Sequence, residues 1–282
     1  MMDTALEIAG MKLFLSTPFE YEEVREFCPF HVISAEIDKN ISIRFCPVRR
    51  PIGRDENGKQ GERYCLIEQN GKRYLGYRIY NKHCHAWMES DENSVICYYL
   101  EDSVKYFPTE RQVFYVVCLE HLLNLHHGFI LHSSFIRWRE KGILFTAPSG
   151  TGKSTQADLW KKYEQADILN GDRSALRLVN GVWRAYGLPF AGSSDIYRNE
   201  SCPVRAIVVL RQAKENKLEQ LRGGMAFRLL YQQLTVHPWD EAFVKRLLDD
   251  LQSLVEQIPV YRLSCLPDQG AVEVLKQELL KS

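Results

Sequence analysis

No sign of charge dominates this chain. Its 36 Lys and Arg residues are matched by 36 Asp and Glu. A neutral chain has no whole-molecule field to draw it onto nucleic acid or an anionic membrane, so those partner classes are not expected. Apolar runs long enough to cross a bilayer are also missing. The opening segment, MMDTALEIAGMKLFL, has an acidic residue at position 3 and no basic n-region, which speaks against a secretory signal. No Cys-x-x-Cys pair occurs among the eight scattered cysteines. That pattern fits reduced, buried thiols better than a disulfide framework and predicts a cytoplasmic protein. Internal repeats and low-complexity tracts are absent as well. What remains is 45% hydrophobic and 26% charged, the balance of a globular protein of one large domain or two modest ones.

The first hundred or so residues read as antiparallel β-structure. In YCLIEQNGKRYLGYRIY, Asn70-Gly71 supplies the positive φ angles of a two-residue turn between two strand-like runs. HAWMESDENSVICYYL repeats the arrangement with a longer polar turn, and RRPIGRDENGKQGE reads as an exposed loop. A single helix is expected over PTERQVFYVVCLEHLLNLHHG, with Thr109 as N-cap and Gly128 as its stop. The expected organisation is a small β-rich domain over 1–107, which would dock an acceptor or partner, and a second domain over 108–282.

In the second domain FILHSSFIRW and GILFTA form a hairpin that leads into APSGTGKST and then a helix. This is the phosphate-loop pattern of Gly, four residues, then Gly-Lys-Ser/Thr, with Ala147 at the first position. Ala is compatible with that position if its φ stays negative. The loop offers backbone N–H groups and a helix N-terminus to a polyphosphate. Lys153 is placed to reach the β- and γ-phosphates, and Ser154 to ligate Mg²⁺; Ser149, Gly150, Thr151, Gly152 and Thr155 complete the cradle. A second metal ligand is needed. VRAIVVLRQ ends without an acid, whereas ILNGD ends in Asp172 directly after an apolar strand. Asp172 is therefore the candidate metal or catalytic carboxylate, the alternative being a plain turn residue.

ALRLVNGVWRAY reads as another hairpin, turning at Asn180-Gly181, and VRAIVVL as a central strand. Hairpins on both sides of the loop predict an α/β fold with a mixed sheet, closed by C-terminal helices, in place of the doubly wound parallel alternation. The loop at 190–200 offers Gly192-Ser193-Ser194 as a cover over the phosphates or the acceptor and Asp195, Arg198 and Glu200 as charges for the site, the alternative being an inert surface loop; Arg173 reads as a phosphate partner or a structural cation. The His residues at 121, 126 and 127, and those at 83 and 85, match no standard zinc spacing.

LHSSFIRWREKGILFTAPSGTGKST…ILNGDRSAL resembles the catalytic domain of the HPr kinase/phosphorylase family and its divergent relatives, over roughly residues 129–212. That family shares a P-loop core with phosphoenolpyruvate carboxykinase. The resemblance implies a mixed-sheet P-loop kinase fold, ATP and Mg²⁺ as cofactors, and His132, Lys153 and Asp172 as catalytic residues. His132 matches the family's strand His, and could alternatively be a hydrogen-bonded core residue. Gly171 stands where the family has its first Asp, and Cys202 near where a further acid is expected. Lasso-peptide kinases that resemble this group phosphorylate a peptide Ser. The implied activity is thus γ-phosphoryl transfer to a hydroxyl, with a peptide or protein Ser as acceptor. A nucleotide-binding regulatory module and a small-molecule kinase are the competing readings, and an oligomer is possible in each.

Overall fold

A computed structural model describes residues 1–33, 41–53, 63–79, 83–190 and 192–281. The chain packs into two compact units, Met1–His126 with His237–Phe243, and His127–Val236 with Val244–Ser282. The boundary expected at 107/108 lies inside the first of these. Most of the loop expected at 49–62 lies outside the described residues.

Among the described residues of the first unit, seven strands form one sheet: β1 (Met2–Ile8), β2 (Met11–Thr17), β3 (Ile41–Val48), β4 (Tyr64–Gln69), β5 (Lys72–Ile79), β6 (His83–Ser90) and β7 (Ser94–Leu100). Their order is β1-β2-β3-β7-β6-β5-β4. The hairpins read from sequence are present, and the β4–β5 turn has φ of 53° at Asn70 and 74° at Gly71. The sheet is not wholly antiparallel, however. β3 pairs parallel with both β2 and β7. Parallel pairing joins strands that are distant in sequence, so local alternation does not signal it. Alternation does fix the buried face, where Leu13, Leu15, Ile43 and Val95 sit at 0–1% exposure.

The expected single helix is two. α1 (Glu110–Val117) and α2 (Leu119–Leu125) are separated by Cys118, which takes a left-handed φ of 48°. Thr109 precedes α1 in extended conformation, but its hydroxyl bonds the Gln112 side chain and caps no backbone N–H. Gly128 is not the stop. The turn falls at His126–His127, and Gly128 begins the next strand.

The second unit contains β8 (Gly128–Trp138), β9 (Lys141–Thr146), α3 (Lys153–Glu164), β10 (Asp167–Asn170), β11 (Arg173–Val179), β12 (Val182–Gly187), β13 (Ser201–Gln212), β14 (Lys217–Leu221) and α4 (Gly223–Tyr231). α5 (Glu241–Gln257), β15 (Val260–Cys265) and α6 (Gln269–Leu279) complete the chain. The sheet is mixed, as the two hairpins predict. β9, β13 and β15 run parallel, and β8, β11 and β12 run antiparallel to their neighbours. β8 and β13 are long enough to serve two sets of partners. Pairings run β8–β11–β12–β13–β9 and back to β8. β13, read as central, pairs with β9, β12 and β15.

α3 and α6 pack over the parallel strands. Ala157 and Trp160 of α3 meet Val272 and Leu275 of α6 above Phe145, Val208 and Leu263. Burying aromatic and branched aliphatic side chains here fixes the register of α3, and with it the loop from which α3 springs.

Candidate active site

The loop between β9 and α3 is built from both ends. At its start, Ala147 is fully buried in the core of the second unit and is not among the residues with positive φ. The Ala at the first signature position therefore costs the loop nothing and packs. At the far end Gly150 and Gly152 have φ of 77° and 115°. A Cβ at either would meet no heavy atom within 4 Å, so these glycines are required by backbone conformation, and the space before the loop is open. Thr151 ties the turn, its N–H and hydroxyl both bonding Pro148 O at 3.3 and 2.8 Å. Ser149, Ser154 and Thr155 are exposed at the mouth. The open backbone turn and the exposed hydroxyls make the loop sterically able to take an anion and a cation.

Lys153 is the buried member of the cradle, at 7% exposure. Its ammonium donates to Ala147 O at 3.0 Å. Burial pushes its pKa below the ordinary lysine value, and the charge of Asp172 opposes that shift. The two residues are thus electrostatically coupled across the strands.

Asp172 stands in a jog between β10 and β11. Both strands pair with β8, β10 at Phe135–Arg137 and β11 at Gly128–His132, with an irregularity after Ile168. Asn170, fully buried, holds the jog. Its Oδ1 accepts the N–H groups of Asp172 and Arg173 at 2.9 and 3.0 Å, and its amide donates to Leu188 O at 2.9 Å. Ser133 N–H donates to Asp172 O, and Ser134 hydroxyl to Gly171 O. With its backbone so fixed, the Asp172 carboxylate faces His132 Nε2 at 3.3 Å and Arg173 Nε at 3.6 Å. The His132 bond first, then the His132, Arg173 and Lys153 charges, hold its pKa below the usual carboxylate range against the opposing effect of burial. The Asp172 and His132 side chains are 31% and 34% exposed. A third of each surface faces solvent, enough to meet a ligand.

His132 is in turn positioned by its strand. Its N–H donates to Gln233 O, and its carbonyl accepts the Thr146 hydroxyl at 2.8 Å. The last residue of β9 before the loop is thereby tied to the histidine.

The segment after β12 closes on this jog. Gly192–Ser194 forms one 3-10 turn. A Cβ at Gly192 would sit 2.8 Å from Asp172 Cγ, and one at Gly171 only 2.0 Å from Ser194 Oγ. Ser194 therefore fills the space that a side chain at 171 would take. Arg198 and Glu200 do not serve the site. They join Arg137 and Asp167 in an ion-pair network at the start of β10. Cys202, where an acid was expected, is buried, and that burial pushes its thiol pKa up to about 12.

On the opposite side of the loop a cavity of about 420 Å³ opens at the carboxyl ends of β13 and β15. Gly150, Gly152 and Thr155 line its loop side; Leu210, Gln212 and Leu266 line the other. Its size and mixed lining suit a nucleoside, and the carboxyl edge of parallel strands is where α/β sheets bind ligands. Ser194 lies in the segment the sequence offers as a cover for the site, whereas Asn170 and this cavity were missed. An Asn two residues before an Asp was a legible turn signal for the former; the cavity depends on long-range packing.

The HPr(Ser) kinase/phosphatase from Coxiella burnetii aligns with 54% of this chain and 88% of its own, at 10% identity and a TM-score of 0.30. No curated protein matches the sequence. A family profile described as SynChlorMet cassette protein ScmC matches residues 95–270, well over half of the chain and including the loop, His132 and Asp172. The chain belongs to the ScmC family of SynChlorMet cassette proteins.

Proposed function

We propose that this protein is an ATP- and Mg²⁺-dependent kinase that transfers the γ-phosphoryl group to a hydroxyl, with a Ser of a peptide or protein as acceptor. The observation that carries the reading is the pairing of a preformed phosphate loop with a polarised His132–Asp172 pair on the adjoining strands. The open face of the loop and the exposed Ser154 hydroxyl fit a Mg·triphosphate, with Ser154 and Asp172 as the protein ligands of the ion. Bound there, the ion would neutralise charge on the transferring group.

The protein's own residues do the rest. Backbone N–H groups of 149–155 orient the phosphates, and Lys153 leaves Ala147 O to meet the β- and γ-oxygens. The nucleoside occupies the cavity beside Gly152 and Leu210. The acceptor oxygen attacks the γ-phosphorus, the bond to the β–γ bridging oxygen breaks, and ADP carries away the electron pair. The acceptor proton passes to Asp172, with His132 sharing it. A loose transition state asks mainly for position and charge, so a strong base at 171 is dispensable. The peptide acceptor and the donor's being ATP rest on the motif resemblance alone, and the cytoplasmic setting on the cysteine pattern.

The filled space at Gly171 favours one competing reading, a module that binds nucleotide without transfer. Single-turnover measurement with bound ATP, Mg²⁺ and Ser-containing peptides separates the two. Phosphopeptide formed by the wild type and not by Lys153→Ala supports the kinase. ATP binding with no transfer leaves the module, and binding that is indifferent to Lys153→Ala removes the loop assignment.

A further inference from the structure

The first unit holds a cluster of soft and borderline ligands that the reaction above does not use. Cys118 Sγ lies 3.7 Å from His237 Nε2 and 3.7 Å from Glu120 Oε2, and all three atoms are within 4.8 Å of one another. Cys118 is fully buried, His237 is 7% exposed, and Glu120 is half-buried. We propose that Cys118, Glu120 and His237 form a zinc site with three protein ligands and a water in the fourth position.

Three features support this. The first is geometric. A tetrahedral ion with bonds of about 2.3 Å to sulfur and about 2.0–2.2 Å to nitrogen and oxygen needs ligand-to-ligand edges of roughly 3.5 Å. The two edges from sulfur exceed that by a few tenths of an ångström, and the Glu120–His237 edge, within 4.8 Å, is the one that side-chain adjustment must shorten. The second is chemical. A thiolate, an imidazole and a carboxylate together match zinc, whereas magnesium and calcium prefer all-oxygen sets. The third is the support around the ligands. Cys118 adopts its left-handed conformation at the break between α1 and α2. The His237 ring is walled by Tyr64, Trp239 and Phe243, with centroids 5.5, 5.1 and 4.9 Å away. Asn124 fixes Phe243 through its carbonyl at 3.2 Å. Such second-shell packing holds a ligating imidazole in place.

The site would tie residues 119 positions apart in the chain. The segment His237–Phe243 returns to the first unit after more than a hundred residues in the second. A zinc ion here acts as a staple that anchors its return, and the reading is independent of the kinase proposal.

The test uses the full chain. Protein purified without chelator is assayed for metal, stripped, and titrated with Co²⁺ as a spectroscopic stand-in. Expected are about one zinc per chain and a thiolate-to-cobalt charge-transfer band that vanishes in Cys118→Ser. Glu120→Gln and His237→Gln, which keep the thiol, should each weaken Co²⁺ binding at least about tenfold. The proposal is overturned by a wild type that yields no such band, or by a band that persists in Cys118→Ser because another cysteine supplies it. If Cys118→Ser does not fold, unchanged affinity in both thiol-retaining variants overturns it equally.

Discussion

An imidazole–carboxylate pair in each unit shows how environment decides what the same two groups do. In the first unit His31 Nε2 meets Glu110 Oε1 at 2.7 Å, and Glu110 is fully buried. In the second, His132 meets Asp172 at 3.3 Å with about a third of each side chain exposed. The shorter bond does not go with the lowered pKa. Burial wins at Glu110 and raises its pKa in spite of His31, while at Asp172 the bond to His132 wins and lowers it. Desolvation penalises the charged form wherever water is excluded, and a partner offsets this only in part. Glu110 is a buried acid whose pKa burial raises, whereas Asp172 is a part-exposed carboxylate whose pKa its histidine partner lowers.

The comparison can be broken most decisively through activity. Asp172→Asn should lower the single-turnover rate by about 10²–10⁴, the range for removing a group that takes a proton or holds a charge in the transition state. Its stability should stay within about 0.5 kcal/mol of wild type, since the side chain is part exposed and the jog is held by backbone bonds to Asn170. Glu110→Ala should do the reverse, costing about 2–4 kcal/mol in urea unfolding with transfer intact, because it empties a buried site and strands His31. Equal losses of activity in the two variants would erase the distinction.

pH sharpens it further. Glu110 has a folded-state pKa above its unfolded value, so its contribution to stability is complete below the unfolded value and declines as pH rises through the folded one. Wild type should therefore lose stability relative to Glu110→Gln on going from mildly acidic to neutral pH. Asp172 has the opposite sign. Its folded pKa is depressed, so its contribution is present above the unfolded value and disappears only as pH falls through the folded value. Denaturant titrations of wild type, Glu110→Gln and Asp172→Asn, taken from neutral pH down through the carboxylate range, read both slopes, and slopes of one sign would contradict the account.

Smaller effects are expected at the jog. Gly171→Asp, which writes the family's missing acid back into the chain, should raise no rate, because its Cβ would collide with Ser194. It should destabilise by about 1–3 kcal/mol, as overpacking does. Adding Ser194→Gly should recover much of that loss. Smallest of all is Ala147→Gly. Completing the loop signature should leave nucleotide affinity within about twofold and cost about 0.5–1 kcal/mol of stability, since a packed methyl is removed and backbone freedom added.

Much of the second unit was legible because its signals are local. The glycines at 150 and 152, the lysine that follows, and the Asn180-Gly181 turn each dictate a conformation within a few residues. Asp172 could be read as a candidate by the same logic, from an apolar strand ending in an acid. What was not legible depends on partners far away in sequence. The parallel pairing of β3 with β7 joins strands some fifty residues apart. Ser194 explains Gly171 only when the chain returns after a hairpin. Cys118 breaks a helical pattern with no Gly or Pro to announce it, and its neighbour His237 is 119 residues away. Local periodicity also assigned Gly128 to a helix end, although the residue opens a strand.

The central claim is that the loop and the His132–Asp172 pair form one phosphoryl-transfer centre. The most direct measurement is a rapid-quench single turnover of γ-labelled ATP with Mg²⁺ and a Ser-containing peptide library, run on wild type and Asp172→Asn with nucleotide binding measured alongside. The account predicts label on peptide hydroxyls with the wild type, and a rate at least a hundredfold lower with Asp172→Asn while ATP still binds. Equal rates from the two proteins would contradict it.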